Sequence, residues 1–230
     1  LGASKNIYNA EGYTLSPGII DTHTHYDAQL TWDNLASPSL DLGVTTALIG
    51  NCGFTLAPCK PEHRDLNMLN LTKVEGMPYE TLKEGIDWSY RTYREYLDLL
   101  DRKNLALNIC SYIGHSAIRI WCMGEASMER EANESEIKQM ENLVRDAMNC
   151  GAIGFATSTF EGHNGQGGLP MPSRLASNQE MKRLIKAMSH QGRGIFMITK
   201  SNKTSIVDIE KIMEKVKRLS LIHISEPTRL

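Results

Sequence analysis

The sequence predicts an α/β fold, an incomplete (β/α)8 TIM-type barrel of about five β-α units. Three observations lead there. Short apolar, β-branched runs alternate with longer amphipathic ones, which is how the strands of a parallel sheet and their crossover helices read in sequence. The chain has 230 residues and is 41% hydrophobic, enough for one buried core, whereas a closed barrel of eight units takes about 250 residues. Long polar stretches containing Gly and Pro follow strands, on the side where a β/α barrel carries its chemistry.

Taken in order, strands are predicted over residues 18–22, 44–50, 105–113, 152–157 and 194–199. Residues 51–86 hold Pro58, Pro61 and Pro78 and read as a long irregular lid or binding loop. A helix is predicted over 93–102. Over 133–150, Ile137, Met140, Leu143, Val144 and Ala147 recur at helical spacing with Glu and Lys opposite, and Cys150-Gly151 supplies a stop. Residues 161–173 form a second polar, Gly-rich stretch. Helices follow over 178–191, with Met181, Leu184, Ile185 and Met188 inward, and over 206–218.

Composition narrows the function. Lys and Arg number 25 against 27 Asp and Glu, a net charge of −2, with no basic block to track phosphates. No apolar run approaches the roughly 18 to 20 residues of a membrane span. Neither a nucleic-acid binder nor a membrane protein is expected. The five cysteines are odd in number and contain no C-x-x-C pair, so a disulfide framework has little support and a reducing, cytoplasmic location is the expectation.

The ends carry their own signals. The chain opens on Leu1 without a signal-peptide pattern and is expected to start inside a longer protein. Residues 219–229 resemble the in-frame translation of a sequencing-library adapter, so natural sequence is expected to stop near Arg218 and His223 to carry no functional weight.

Chemistry concentrates after the first strand. In extended backbone, residues i and i+2 point to one side, so His23 and His25 present two imidazoles to one metal ion. Ser158 with His163 and an Asp would make up a triad, but no Gly-x-Ser-x-Gly elbow surrounds the serine. The glycines of 162–168 lack the spacing of a phosphate loop.

At larger scale, Pro-Gly-Ile-Ile-Asp-Thr-His-Thr-His-Tyr-Asp (17–27) resembles the opening metal motif of the amidohydrolase superfamily. Gly43-Val44-Thr45-Thr46, Gly50-Asn51-Cys52-Gly53-Phe54, Val74-Glu75-Gly76-Met77, Gly114-His115-Ser116-Ala117-Ile118-Arg119 and Gly151-Ala152-Ile153-Gly154 are similar to its D-aminoacylase, or N-acyl-D-amino-acid deacylase, branch.

The resemblance implies a TIM barrel with a small β-sandwich built from both chain ends, here mostly missing. Residues 1–16 then read as a remnant of the sandwich and its linker, 17–218 as the partial barrel, and 219–230 as a non-native tail. It implies zinc-dependent hydrolysis of a small-molecule N-acyl amino acid to a carboxylate and a free D-amino acid. Cys52 is then a zinc ligand beside His23 and His25; Cys59, Cys110, Cys122 and Cys150 match no ligand position and read as packing residues. Glu75 either bridges the metal site or is a solvated carboxylate. Arg119 suits a substrate carboxylate and His115 suits orienting that loop, while both also have ordinary structural readings. Tyr26 and Asp27 are expected to help shape the pocket. Thr199 stands where the family supplies another zinc-binding His, and Lys200 reads as solvent-directed. The later His and the general acid/base Asp are expected beyond Arg218, so the fragment itself is expected to be inactive. The alternatives left open are a cyclic-amide hydrolase of hydantoinase type and a non-catalytic truncated product.

Overall fold

The computed structural model describes residues 6–74, 76–202, 204–213 and 220–222. Six parallel strands lie side by side in chain order: β1 (Ile19–Asp21), β2 (Val44–Ile49), β3 (Asn108–Gly114), β4 (Gly154–Ser158), β5 (Ile195–Thr199) and β6 (Ser220–Ile222). The first five are the predicted ones, and they form a curled, unclosed barrel wall. The sixth lies within 219–230 and pairs Ser220 with Ile195 and Ile222 with Met197. A parallel neighbour is reached only by a crossover; helices supply it after β2, β3, β4 and β5, while two short 3-10 turns, Gln29–Thr31 and Leu40–Leu42, lie between β1 and β2.

The amphipathic helices fall where their periodicity puts them. α3 (Tyr93–Arg102) is closed at its start by a reciprocal Thr92–Glu95 capping box. α5 (Glu134–Cys150) has the same device from Asn133 and Glu136, and ends on Gly151 at φ 112°, a left-handed position that favours glycine. α6 (Asn178–Met188) is capped by Ser177 and passes into a 3-10 turn at Ser189–Gln191. α7 (Ile206–Met213) is the described part of the last predicted helix.

Three helices were not predicted. Residues 51–86 are not irregular throughout: they hold α1 (Arg64–Val74) and α2 (Tyr79–Gly85). On α1 the buried positions are Asn67 and Asn70 as well as Met68 and Leu71, so its inner face does not read as apolar. α4 (His115–Met123) starts directly after β3, and its first six residues are all buried. A helix hidden on every side shows no polar face for periodicity to detect.

Every residue of β4 is buried, and Phe155 stacks on Phe196 of β5 at 6.1 Å between ring centroids. Met140, Val144 and Ala147 of α5 and Met181, Leu184 and Ile185 of α6 join the same core. At the opposite margin β1 is an edge strand, with Ile19 54% and Ile20 60% exposed.

Candidate metal centre

The C-terminal ends of β1 and β2 are tied together by polar groups of the chain. Thr24 points into the sheet, its backbone N–H and its hydroxyl both donating to the Leu48 carbonyl at 3.1 and 2.8 Å. The Asn51 amide donates to the Thr24 and Leu48 carbonyls at 3.1 and 2.9 Å, and the Gly50 N–H donates to Asp27 Oδ2 at 2.9 Å. With Thr24 turned inward, the residues on either side, His23 and His25, share the other face.

The turn after β2 brings the thiol to them. Gly50 takes φ 79°, and a Cβ there would sit 2.7 Å from the Tyr112 carbonyl oxygen, so only glycine fits. Cys52 itself takes φ 56°, a left-handed conformation that costs a non-glycine residue about 1–2 kcal/mol. Its Sγ lies 3.4 Å from His23 Nε2 and 3.8 Å from His25 Nε2. The ligand atoms of His23, His25 and Cys52 all fall within 4.8 Å of one another.

That donor set fits a metal. A tetrahedral ion bonded to imidazole nitrogen and thiolate sulfur at about 2.0–2.3 Å sets its ligands about 3.3–3.8 Å apart, which is the spacing at Cys52. Burial, followed by the neighbouring His23 and His163, pushes the His25 pKa down to about 3. The ring is therefore neutral at pH 7, the form that coordinates metal.

Other strands contribute to the rim. Thr199, at the end of β5, donates its hydroxyl to Cys52 Sγ at 3.1 Å, and the Cys52 N–H is directed at Met197 Sδ at 3.4 Å. Phe54 stacks on His25 at 5.9 Å and meets His163 edge-to-face at 4.9 Å. Phe54 and His163 thus bring the segments that follow β2 and β4 together at one end of the sheet. Ser158 and His163, set aside in sequence for want of an elbow, are joined by a 2.6 Å contact between Oγ and Nδ1.

Asp27 is fully buried, with Oδ1 lacking a hydrogen-bond partner, and burial raises its pKa to about 7. Tyr26 makes a 2.6 Å hydroxyl contact with Ser39. Glu75 lies outside the described residues. The other four cysteines are free thiols apart from the cluster; burial pushes Cys59 and Cys122 up to about 12.

Arg119 and His115, expected at a substrate carboxylate, are held in the interior by contacts within the chain. Both are fully buried and share a residue that sequence reading missed, Glu180. His115 Nε2 is 2.8 Å from Glu180 Oε1, and Arg119 Nη1 is 2.5 Å from Oε2. Arg119 also donates to the Ser127 and Arg130 carbonyls at 3.3 and 2.7 Å, while His115 Nδ1 meets Thr157 Oγ1 at 2.8 Å. Glu180 sits in the first turn of α6, where an acidic residue ordinarily answers the helix N-terminus. Nothing in the sequence marks it as buried.

Two imidazoles and a thiol gathered at the C-terminal ends of parallel strands define the class: a β/α-barrel protein with a metal-binding rim. Comparison with known proteins narrows it. The model of the amidohydrolase family matches residues 6–221. A D-aminoacylase of Alcaligenes xylosoxydans xylosoxydans is 31% identical over 188 residues, 82% of this chain and 34% of that protein. An N-acyl-D-aspartate deacylase of the same organism is 31% identical over 154 residues, 67% of this chain and 28% of its own length. A solved D-aminoacylase, described by its binuclear metal centre, superposes with a TM-score of 0.67 at 28% identity, covering 89% of this chain and 39% of that one. The chain belongs to the amidohydrolase family, in its D-aminoacylase branch. It spans about a third of the length of the curated relatives it matches.

Proposed function

We propose that this chain is part of a zinc-dependent amidohydrolase that cleaves the linear amide of an N-acyl-D-amino acid to a carboxylate and a free D-amino acid. The observation that carries this is the placement of Cys52 Sγ between His23 Nε2 and His25 Nε2 at 3.4 and 3.8 Å. The ligand set is His23, His25 and Cys52, with Glu75 as a further carboxylate. The odd number of cysteines with no C-x-x-C pair suits a reducing cytoplasm.

A divalent ion held there supplies a Lewis acid for the amide carbonyl and eases deprotonation of water. The chain's own residues prepare the site. His25 is held neutral by burial, so it offers a lone pair without first losing a proton. Thr199 donates to Cys52 Sγ and so stabilises a thiolate. His23 and Cys52 sit on turns that Thr24, Asn51 and Asp27 bind together. Arg119 and His115 act as buried supports of the site, Arg119 pairing with Glu180 through Nη1 and His115 lying between Glu180 and Thr157. The general acid/base of the proposed reaction is a group outside this ligand set. The chain alone is therefore expected to hold metal without turning substrate over.

Elemental analysis of the purified chain and of Cys52→Ala, together with hydrolysis assays on N-acetyl-D-amino acids, tests both parts. Zinc in the parent and its loss in the variant support the ligand set; equal zinc in both refutes it. Zinc-dependent turnover by this chain would overturn the expected inactivity.

A further inference from the structure

The buried Glu180–His115–Thr157 chain ends against the turn that carries Cys52. We infer that Glu180 and Thr157 are positioning residues for the Cys52 thiol, acting through His115 and the backbone of Gly53. The inference rests on the reading of Cys52 as a metal ligand and goes beyond it, because neither residue belongs to the cluster itself.

The geometry runs in one line. Glu180 Oε1 meets His115 Nε2 at 2.8 Å, and His115 Nδ1 meets Thr157 Oγ1 at 2.8 Å. All three residues are fully buried, so water offers these polar atoms no alternative partner and their positions are tightly defined. His115 and Thr157 flank Gly53, the residue after Cys52. A Cβ built on Gly53 would lie 3.3 Å from the His115 backbone nitrogen, 3.2 Å from Thr157 Cα and 2.9 Å from the Ala156 carbonyl oxygen. The glycine backbone is therefore seated directly on the two residues that the network joins.

A second route meets the thiol from the other side. Thr157 pairs in the sheet with Ile198. The residues flanking Ile198 are Met197, at which the Cys52 N–H is directed, and Thr199, whose hydroxyl reaches Cys52 Sγ. Thr157 thus fixes both the floor under the turn and the strand whose side chains contact Cys52. Cys52 needs such support, because its φ of 56° is unfavourable for a non-glycine residue and persists only where the surroundings hold it. The Glu180 carboxylate is itself held from behind by Arg119 Nη1 at 2.5 Å, which fixes the far end of the line.

The test is titration of the full chain with Co2+, reading the thiolate-to-cobalt charge-transfer band and the affinity by chelator competition, with the thermal midpoint measured separately. Thr157→Val removes the hydroxyl at nearly constant volume, Thr157→Ser retains it, and Glu180→Gln keeps the shape while discharging the carboxylate. Loss of a supporting hydrogen bond near a metal ligand lowers metal affinity about 10-fold or more. Thr157→Val and Glu180→Gln are expected to lose about that factor with a weakened band, and Thr157→Ser to keep the parent values. If Thr157→Val binds cobalt with the parent affinity and band, whatever its thermal midpoint, the inference is overturned. Should Glu180→Gln fail to fold, the valine and serine pair still decides. Cys52→Ala separates the two levels. Retention of the band in that variant defeats the ligand reading itself, whereas loss of the band there with none in Thr157→Val defeats only the positioning role.

Discussion

Asp27 and His25 give stability opposite dependences on pH, and replacing Asp27 by Asn should expose this. Burial raises the folded pKa of Asp27 from 3.8 to about 7. Between those values the native chain holds a proton that the unfolded chain has released, so this group's contribution to stability falls as pH rises. His25 does the reverse: its folded pKa is pushed from 6.5 to about 3, so between pH 3 and 6.5 only the unfolded chain is protonated, and stability falls as pH falls. From about pH 4 to 6.5 the two slopes oppose and largely cancel in the metal-free chain. Asp27→Asn removes one slope while retaining an oxygen acceptor for the Gly50 N–H. One pKa unit corresponds to about 1.4 kcal/mol, so over the two units from pH 4.5 to 6.5 the variant should gain about 3 kcal/mol relative to the parent. Urea midpoints of both chains, stripped of metal by chelator and measured at pH 4.5, 5.5 and 6.5, give the difference directly. Groups common to both cancel in it. A difference that stays constant across that window would show that Asp27 is ionised in the folded chain and that the burial argument fails.

Gly53→Ala should destabilise the chain by about 2–4 kcal/mol in urea denaturation, since the added carbon meets the Ala156 carbonyl at 2.9 Å and the backbone φ is +81°; a change below about 0.5 kcal/mol would contradict the close packing of that turn. Arg119→Met leaves the Glu180 carboxylate buried without its guanidinium, for an expected loss of about 3–5 kcal/mol. Adding Glu180→Leu should recover part of it, and strict additivity in that cycle would refute the pairing.

The parts of the fold that sequence revealed are those in which side chains segregate by face. Ile137, Met140, Val144 and Ala147 announce α5 because Glu and Lys fill its other side, and His23 and His25 announce the site because a period of two in extended backbone has few other uses. α4 is silent by the same logic, since its first turns are enclosed all round. So is α1, whose inward Asn67 finds a partner in Cys59 Sγ at 3.3 Å and whose Asn70 is also buried. Cys52 entered the proposed ligand set through its resemblance to a family motif, since nothing in local spacing links residue 52 to residue 23. Glu180 escaped notice because a carboxylate in a first helical turn has an ordinary explanation. Its role comes from Arg119, 61 positions earlier, and pairings at that range leave no local trace.

Strand order has a consequence for how the site is assembled. Each strand is laid beside the one made just before it, so the sheet can grow unit by unit as the chain emerges. The rim around Cys52 does not share that economy. Its two imidazoles arrive with the first strand and its sulfur with the second, but the Thr199 hydroxyl that steadies the sulfur is 147 residues further on. Chains with fewer units docked would have the ligands without the brace, and tight metal capture would come late, as a mark that the fifth strand is in place. Cobalt binding followed during refolding should then lag behind the appearance of secondary structure.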